Sequence, residues 1–353
     1  MARGKKNGRA RNGANRRNVP RRRAADLRGI KQGTGAVAPY AFGGGVATGN
    51  PDTWFNAMHP HHLALPRAIS PYVIIRTSET FSNNSEVSIF GAFHRNGQED
   101  THGWTSQFCA QSFDAAVAMN GTNNALGRTY SAMNSAAWDF AECVPAAVTV
   151  QVINPEALQT TAGTVFAGRL RTLPSMIDRS ITWRDFANNF LSYNAPRVCS
   201  AAKLALRGIQ MDGAPYDMSS LASFQPRKTT LGGAYSWDGT TTDVKDNSDV
   251  DGFGPMIVYN QGSGGIRPNL TYIVTTEWRV RFDPSNPAQA AARCYPPASD
   301  MTWSRAIKAL DDVGNGAVDI VERVAAAGQF ASKMYNTYKG LTSGSQSLLA
   351  LTA

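Results

Sequence analysis

The sequence predicts an all-β chain, an eight-stranded antiparallel jelly-roll sandwich, on three observations. Apolar and polar residues alternate with period two over about eight separate runs. Each run is bounded by members of a large stock of 32 Gly and 18 Pro, the punctuation of short strands and turns. Of 353 residues 42% are apolar and only 17% charged, enough for a sizeable core in one large or two small domains. The connections between runs are long and irregular, as in a jelly roll.

Taken in order, strands are predicted at residues 72–80, 86–94, 146–154, 164–171, 198–206, 223–230, 254–260 and 270–282. In the third, Val148, Val150 and Val152 share a face. The last is the clearest: Leu270, Tyr272, Val274, Thr276, Trp278, Val280 and Phe282 line one face, and Thr271, Thr275, Glu277, Arg279 and Arg281 the other. Its thirteen residues span roughly 43 Å, long for a globular strand. A helix is predicted at 183–193, with Thr182 as its N-cap. The long connections 97–142 and 232–252 read as exposed, variable surface.

Before this body stands a segment of opposite character. Residues 1–31 hold Arg3, Lys5, Lys6, Arg9, Arg11, Arg16, Arg17, Arg21, Arg22, Arg23, Arg28 and Lys31 against one acid, Asp26, while the remaining 322 residues carry 23 bases and 25 acids. The basicity is therefore confined to an arm. With no apolar residue between Ala14 and Val19 and mostly Gly, Asn and Ala between the bases, the arm has too little to bury to offset its ordering entropy, and its natural partner is a polyphosphate. A Gly- and Ala-rich linker covers 32–49, the jelly-roll body 50–300, and a helical segment 301–353. There Trp303, Ile307 and Leu310 form a short amphipathic helix, and Ile320, Val324, Ala327, Ala331, Met334 and Tyr338 predict a second over 317–338. Asn315-Gly316 separates the two.

Several function classes find no support in the residues. No apolar stretch long enough for a signal peptide or a membrane span occurs, so synthesis and folding in the cytosol are expected. Cys109, Cys143, Cys199 and Cys294 stand far apart with no CxxC pair, which disfavours a zinc ribbon or disulfide scaffold and predicts free, mostly buried thiols. The GxxxxGK[ST] and GxSxG patterns are absent, and no nucleophile and base stand at a recognisable spacing.

Basic arm, Gly-rich linker, about eight strands and an amphipathic C-terminal segment together resemble the capsid proteins of small non-enveloped positive-strand RNA viruses, nodaviruses and tetraviruses in particular. AVTVQVINPEALQTTAGTVFAGRLRTLP (147–174) resembles the paired strands of the nodavirus shell, and EWRVRFDPSNPAQ (277–289) its last shell strand. With only about 70 residues after Phe282 and so no protruding domain, the chain is also similar to the compact capsids of dinoflagellate-infecting RNA viruses.

The resemblance implies a virion protein, assembled in the host cytoplasm, that builds an icosahedral shell of T=3 type, about 180 copies. The arm would then package a single-stranded RNA genome, and roughly 2,000 arm charges would offset a substantial fraction of its phosphates. A host-cell receptor and transient membrane contact by the C-terminal helix are further implied partners. In these families maturation is an autocatalytic cleavage after an Asn near the C-terminus, assisted by a shell acid. Carried over, the scissile residue is Asn315 and the acid Asp52, in the NPDTWF stretch just after the linker. The relatives have a larger residue after the Asn, and Asn-Gly is also an ordinary helix stop or turn. Subunit-interface calcium is common among the relatives, and Asp243, Asp246, Asp249 and Asp251 form an acidic loop that either supplies ligands to it or is merely solvated. That stretch is no EF-hand, because Val258 stands where the bidentate Glu is needed. His59, His61 and His62 lack a fourth ligand at zinc spacing and read as surface or interface histidines. The alternative function is a cellular RNA-binding protein with a basic tail.

Overall fold

The computed structural model describes residues 41–42, 55–58, 62–66, 70–95, 103–119, 125–170, 179–213, 215, 221, 224–228, 235–236, 248–250, 253–295, 297–312 and 316–321. Eight strands form its centre: β1 (Val73–Asn83), β2 (Val87–Phe90), β3 (Glu142–Ile153), β4 (Thr164–Arg169), β5 (Arg197–Ser200), β6 (Ile209–Gly213), β7 (Met256–Gly262) and β8 (Leu270–Arg281). Antiparallel pairing joins β1 to β8, β2 to β7, β3 to β6 and β4 to β5. Two further pairings, β8 with β3 and β7 with β4, gather these ladders into sheets ordered β1-β8-β3-β6 and β5-β4-β7-β2. A ribbon folded on itself in this nested way and wrapped into two sheets is a jelly roll, so pairing alone establishes the predicted fold.

Inside the sandwich the period-two faces meet. Tyr272, Val274, Trp278 and Val280 of β8 and Val148, Val150 and Val152 of β3 pack against Phe90, Val165, Ala167, Met256 and Val258 of the second sheet, all buried. Each such side chain contributes about 1.5–3 kcal/mol relative to exposure. Along the β8–β3 ladder Ala147 and Pro145 are paired while Ala146 is passed over, a bulge that accommodates a proline in a central strand.

Both outer faces are covered as well. Helix α1 (Trp183–Asn194) lies over the second sheet, its Trp183, Phe186, Ala187 and Phe190 packed on Val87, Ile89, Ile257 and Tyr259. Thr182 caps it as the sequence predicts, accepting a bond from the Asp185 amide at 3.0 Å. Helix α3 (Asp300–Asp312) covers the first sheet with Trp303, Ala306 and Leu310, packed with Phe55, Leu63, Leu65 and Tyr72 of the incoming chain.

Three expectations are corrected. Residues 198–206 divide into β5 and helix α2 (Ala201–Arg207), because Ser200 caps the strong helix formers that follow by accepting from the Lys203 amide, and Gly208 closes the turn at φ 58°. The connection 97–142 is not simply exposed. It holds strands Gly103–Thr105, Gln107–Ser112 and Leu126–Thr129, the last two extending the second sheet beyond β2, and all of Gln107–Ser112 is buried. Buried on both faces, QFCAQS has no period-two signature to read. The strand count therefore exceeds eight. Thirdly, residues Ala317–Asp319 form a strand, where the periodicity predicts the start of a helix.

Cys109, Cys143 and Cys199 are buried and Cys294 is exposed, all as free thiols. Burial pushes the Cys143 thiol up to about 12 and that of Cys109 well above its ordinary value. A thiol reagent at pH 8 should therefore label Cys294 in the native protein and the other three only on unfolding, counted by peptide mass mapping. Phe190→Ala should lower stability by about 3–5 kcal/mol in urea titration with an unchanged m-value.

Candidate functional site

The short strand that starts after Gly316 is fixed by backbone geometry and by charge. Gly316 has φ +76°, and a Cβ there would stand 3.1 Å from the Cβ of Arg169, so the second half of the Asn-Gly pair is dictated by backbone geometry. Ala317–Asp319 then adds to the edge of the first sheet, antiparallel to β6, with Met211 opposite Ala317 and Ile209 opposite Asp319. Gly208 lies beneath the next residue, where a Cβ would meet Ile320 Cδ1 at 2.7 Å.

Charge holds this strand in place. Asp319 is 1% exposed, and its carboxylate faces Arg197 Nη2 at 2.7 Å, Lys203 Nζ at 3.6 Å and Arg207 Nη1 at 3.6 Å. The Arg197 approach is off the hydrogen-bonding direction, so the contact is ionic, while Arg197 Nη1 donates to the Ala317 carbonyl at 2.9 Å. β5 and α2 supply the three cations, and the extra strand supplies the anion.

A second buried acid lies close by. Extending the β6 register by one residue sets Asp212 opposite Gly316, the residue after Asn315. Asp212 is 2% exposed, and its Oδ1 accepts from Thr149 Oγ1 at 2.8 Å and Gln210 Nε2 at 3.0 Å. Thr149 in turn accepts from the Ala57 amide at 2.8 Å, which brings the incoming chain downstream of Asp52 onto the same polar cluster.

Farther along the same outer face, the polar side of β8 is buried rather than solvated. Glu277 pairs with Arg76 (Nη2 to Oε2, 3.1 Å) and Arg279 (Nη1 to Oε1, 2.7 Å), and Arg279 also donates to the Leu63 carbonyl at 2.7 Å. The shared carboxylate gives each of the two cations a partner, and the Leu63 bond ties the incoming chain to the sheet.

Of the residues singled out from sequence, the twelve bases of the arm, Asp52, Asn315, Asp243, Asp246 and Asp251 lie outside the described residues, as do His59 and His61 and the helix beyond 321. Asp249 falls on the strand Ser248–Val250, paired with Phe93–Arg95. Among the described residues no group of three or more His, Cys, Asp or Glu is placed to hold a metal, and no helix is long and apolar enough to cross a membrane. Asp212 and Asp319 are the acids that sequence reading missed. A lone Asp inside a short strand carries no pattern, although Arg197, Lys203 and Arg207 at close spacing mark a cationic stretch in want of a partner.

No family model and no curated protein matches the chain. Among solved structures, it is similar to the BFDV capsid protein in a 60-mer crystal structure (10% identity, 62% of this chain and 98% of that one, TM-score 0.29). It is also similar to the semi-empty particle of the giant freshwater prawn Macrobrachium rosenbergii nodavirus (9%, 60% and 88%, 0.26) and to the KBV activated particle at acidic pH (9%, 65% and 78%, 0.27). At such TM-scores these likenesses carry no weight beside the strand order, which by itself defines the jelly-roll class.

Asp319→Asn should leave three cations facing a neutral group and cost about 2 kcal/mol. Hydrogen exchange should then quicken at residues 317–320 while the amides of β8 keep their protection, a pattern that global unfolding would not give.

Proposed function

We propose that this chain is the subunit of an icosahedral viral capsid that packages single-stranded RNA. What carries the reading is the nested jelly-roll ribbon, an architecture of capsid shells, joined to an arm of twelve bases and one acid. Repeated contacts between copies close the shell, in T=3 form with about 180 subunits. The arm neutralises phosphate in the interior without reading sequence. The virion forms in the host cytoplasm, outward-facing connections meet the receptor, calcium at the Asp243–Asp251 loop cements neighbouring copies, and the C-terminal helix makes transient membrane contact.

Electron microscopy of the expressed protein, with the nucleic-acid absorbance ratio of the same sedimented fraction, tests this. Closed RNA-filled particles are expected, and soluble monomers bound to RNA at low salt would favour the cellular RNA-binding alternative. Deleting residues 1–31 should leave the shell fold intact and abolish packaging; RNA-filled particles from that deletion would defeat the assigned role of the arm.

Buried Asp212 in register with Gly316 favours an added maturation step, cleavage after Asn315 by attack of its own side-chain amide nitrogen on its carbonyl carbon, which expels the Gly316 amine. Two carboxyls are candidates for moving the proton: Asp52, from the resemblance, and Asp212, from the register. Intact mass should show a cut after Asn315 in wild-type particles and a whole chain in whichever of Asp52→Asn and Asp212→Asn removes the working acid. A whole chain in mature wild-type particles would leave Asn315-Gly316 as a turn.

A further inference from the structure

One aromatic side chain is held outward against its own conformational preference. Phe140 has φ +57°, a region that bulky residues avoid, and is 85% exposed. Outliers of this kind persist where the surroundings impose them, and here the imposing group is identifiable. Arg227, itself buried, donates Nε to the Trp138 carbonyl at 3.2 Å, Nη2 to Asp139 Oδ1 at 2.8 Å and Nη1 to the Met133 carbonyl, while its own amide bonds to the Ala141 carbonyl at 2.9 Å. On the other flank Asn286 Nδ2 donates to the Ala137 carbonyl at 2.7 Å. Two guanidinium bonds and the amide of a buried arginine are thus spent on fixing the turn 138–141, from which the Phe140 side chain projects into solvent. A rigid exposed aromatic loses little entropy on binding, the property of an interface anchor.

A receiving site lies elsewhere on the same chain. Between β1 and the strand Leu126–Thr129 is a cavity of about 530 Å³ lined by Glu79, Phe81, Phe108, Leu126, Arg128 and Thr129, among others. The Arg128 guanidinium lies 4.3 Å above the Phe81 ring and is steered by one bond, Nε to Gln111 Oε1 at 2.7 Å; its two terminal nitrogens have no hydrogen-bond partner among the described residues. Arg128 is half-buried at the cavity wall, and a guanidinium sandwiched between two rings gains a second cation–π contact. Phe140 does not fill this cavity in its own subunit, where it stands 85% exposed.

We propose that Phe140 of one copy seats in the Arg128 cavity of another copy of this chain. Knob and hole are different patches, so the contact runs head to tail and closes into a ring or shell, or is made twice across a two-fold axis. This rests on the reading of the chain as a self-assembling subunit, and names a contact that such assembly uses.

Sedimentation velocity and thermal melting of wild type, Phe140→Gly, Phe140→Asn and the cavity-filling Thr129→Trp test it. Gly and Asn tolerate positive φ, so both Phe140 variants should melt at or above the wild-type temperature while the concentration needed for assembly rises at least tenfold. Thr129→Trp should weaken assembly to a similar degree with Phe140 in place. Unchanged assembly of both Phe140 variants would overturn the anchor and leave the shell reading standing; loss in those variants with none in Thr129→Trp would overturn the cavity as its receiver. If wild type forms no closed particle, the shell reading falls, and the anchor is judged on smaller oligomers, whose persistence in Phe140→Gly would overturn it.

Discussion

Strand β8 has to be buried on both faces and paired along both edges, and the rest of the molecule is arranged around that requirement. One edge runs against β1 from Leu270 opposite Asn83 to Val280 opposite Val73, the other against β3 from Thr271 opposite Ile153 to Arg281 opposite Glu142. Its inward face supplies Tyr272, Val274, Trp278 and Val280 to the core. The outward face places Glu277 and Arg279 beneath the incoming chain, where a buried charge is tolerable only with a partner of opposite sign. Arg76 meets that need from β1, and the Leu63 carbonyl accepts from Arg279 Nη2. The position of residues 62–66, and through Trp303 Nε1 bonded to the Ala64 carbonyl the position of α3, thus follows from how one strand disposes of its charges.

A similar logic governs the opposite edge. β6 would leave a row of unpaired backbone groups at the border of the first sheet, and Ala317–Asp319 covers its first three residues. The cover is secured by an ion cluster and by two glycines at positive φ, where a side chain would be strained. Edge protection and the placement of Asp212 opposite Gly316 are consequences of the same short strand.

How far the sequence could be read depended on which faces each strand buries. Strands with one apolar and one polar face, such as β1, β3 and β8, announce themselves by alternation, and α1 does so through its Thr182 cap. Gln107–Ser112 is enclosed on both sides and mixes Gln, Cys and Ser, so its burial owes more to neighbours than to its own hydrophobicity. β6 is five residues long with two apolar side chains, too short for a period to register. Residues 201–207 carry enough apolar content to pass for strand until the Ser200 cap is weighed. At the site the limit was of another kind. Asp212 and Asp319 acquire meaning only from cross-strand neighbours more than 60 and more than 100 residues away in the chain, Thr149 for the one and Arg197 for the other.

The nesting of the ribbon also has a temporal side. The first strand of the jelly-roll ribbon pairs with its last, and Val73 waits for Val280. The first sheet and the core it closes cannot be completed until β8 has been synthesised some 200 residues later, so the fold depends on distant contacts made late and with a high loop-closure cost. Until then the early strands stay unsealed, a state prone to pair with the wrong edge. Surfaces built from both ends of the ribbon come into being only once β8 has been made, so the outer edge of the first sheet is the latest part of the sandwich to take its final form.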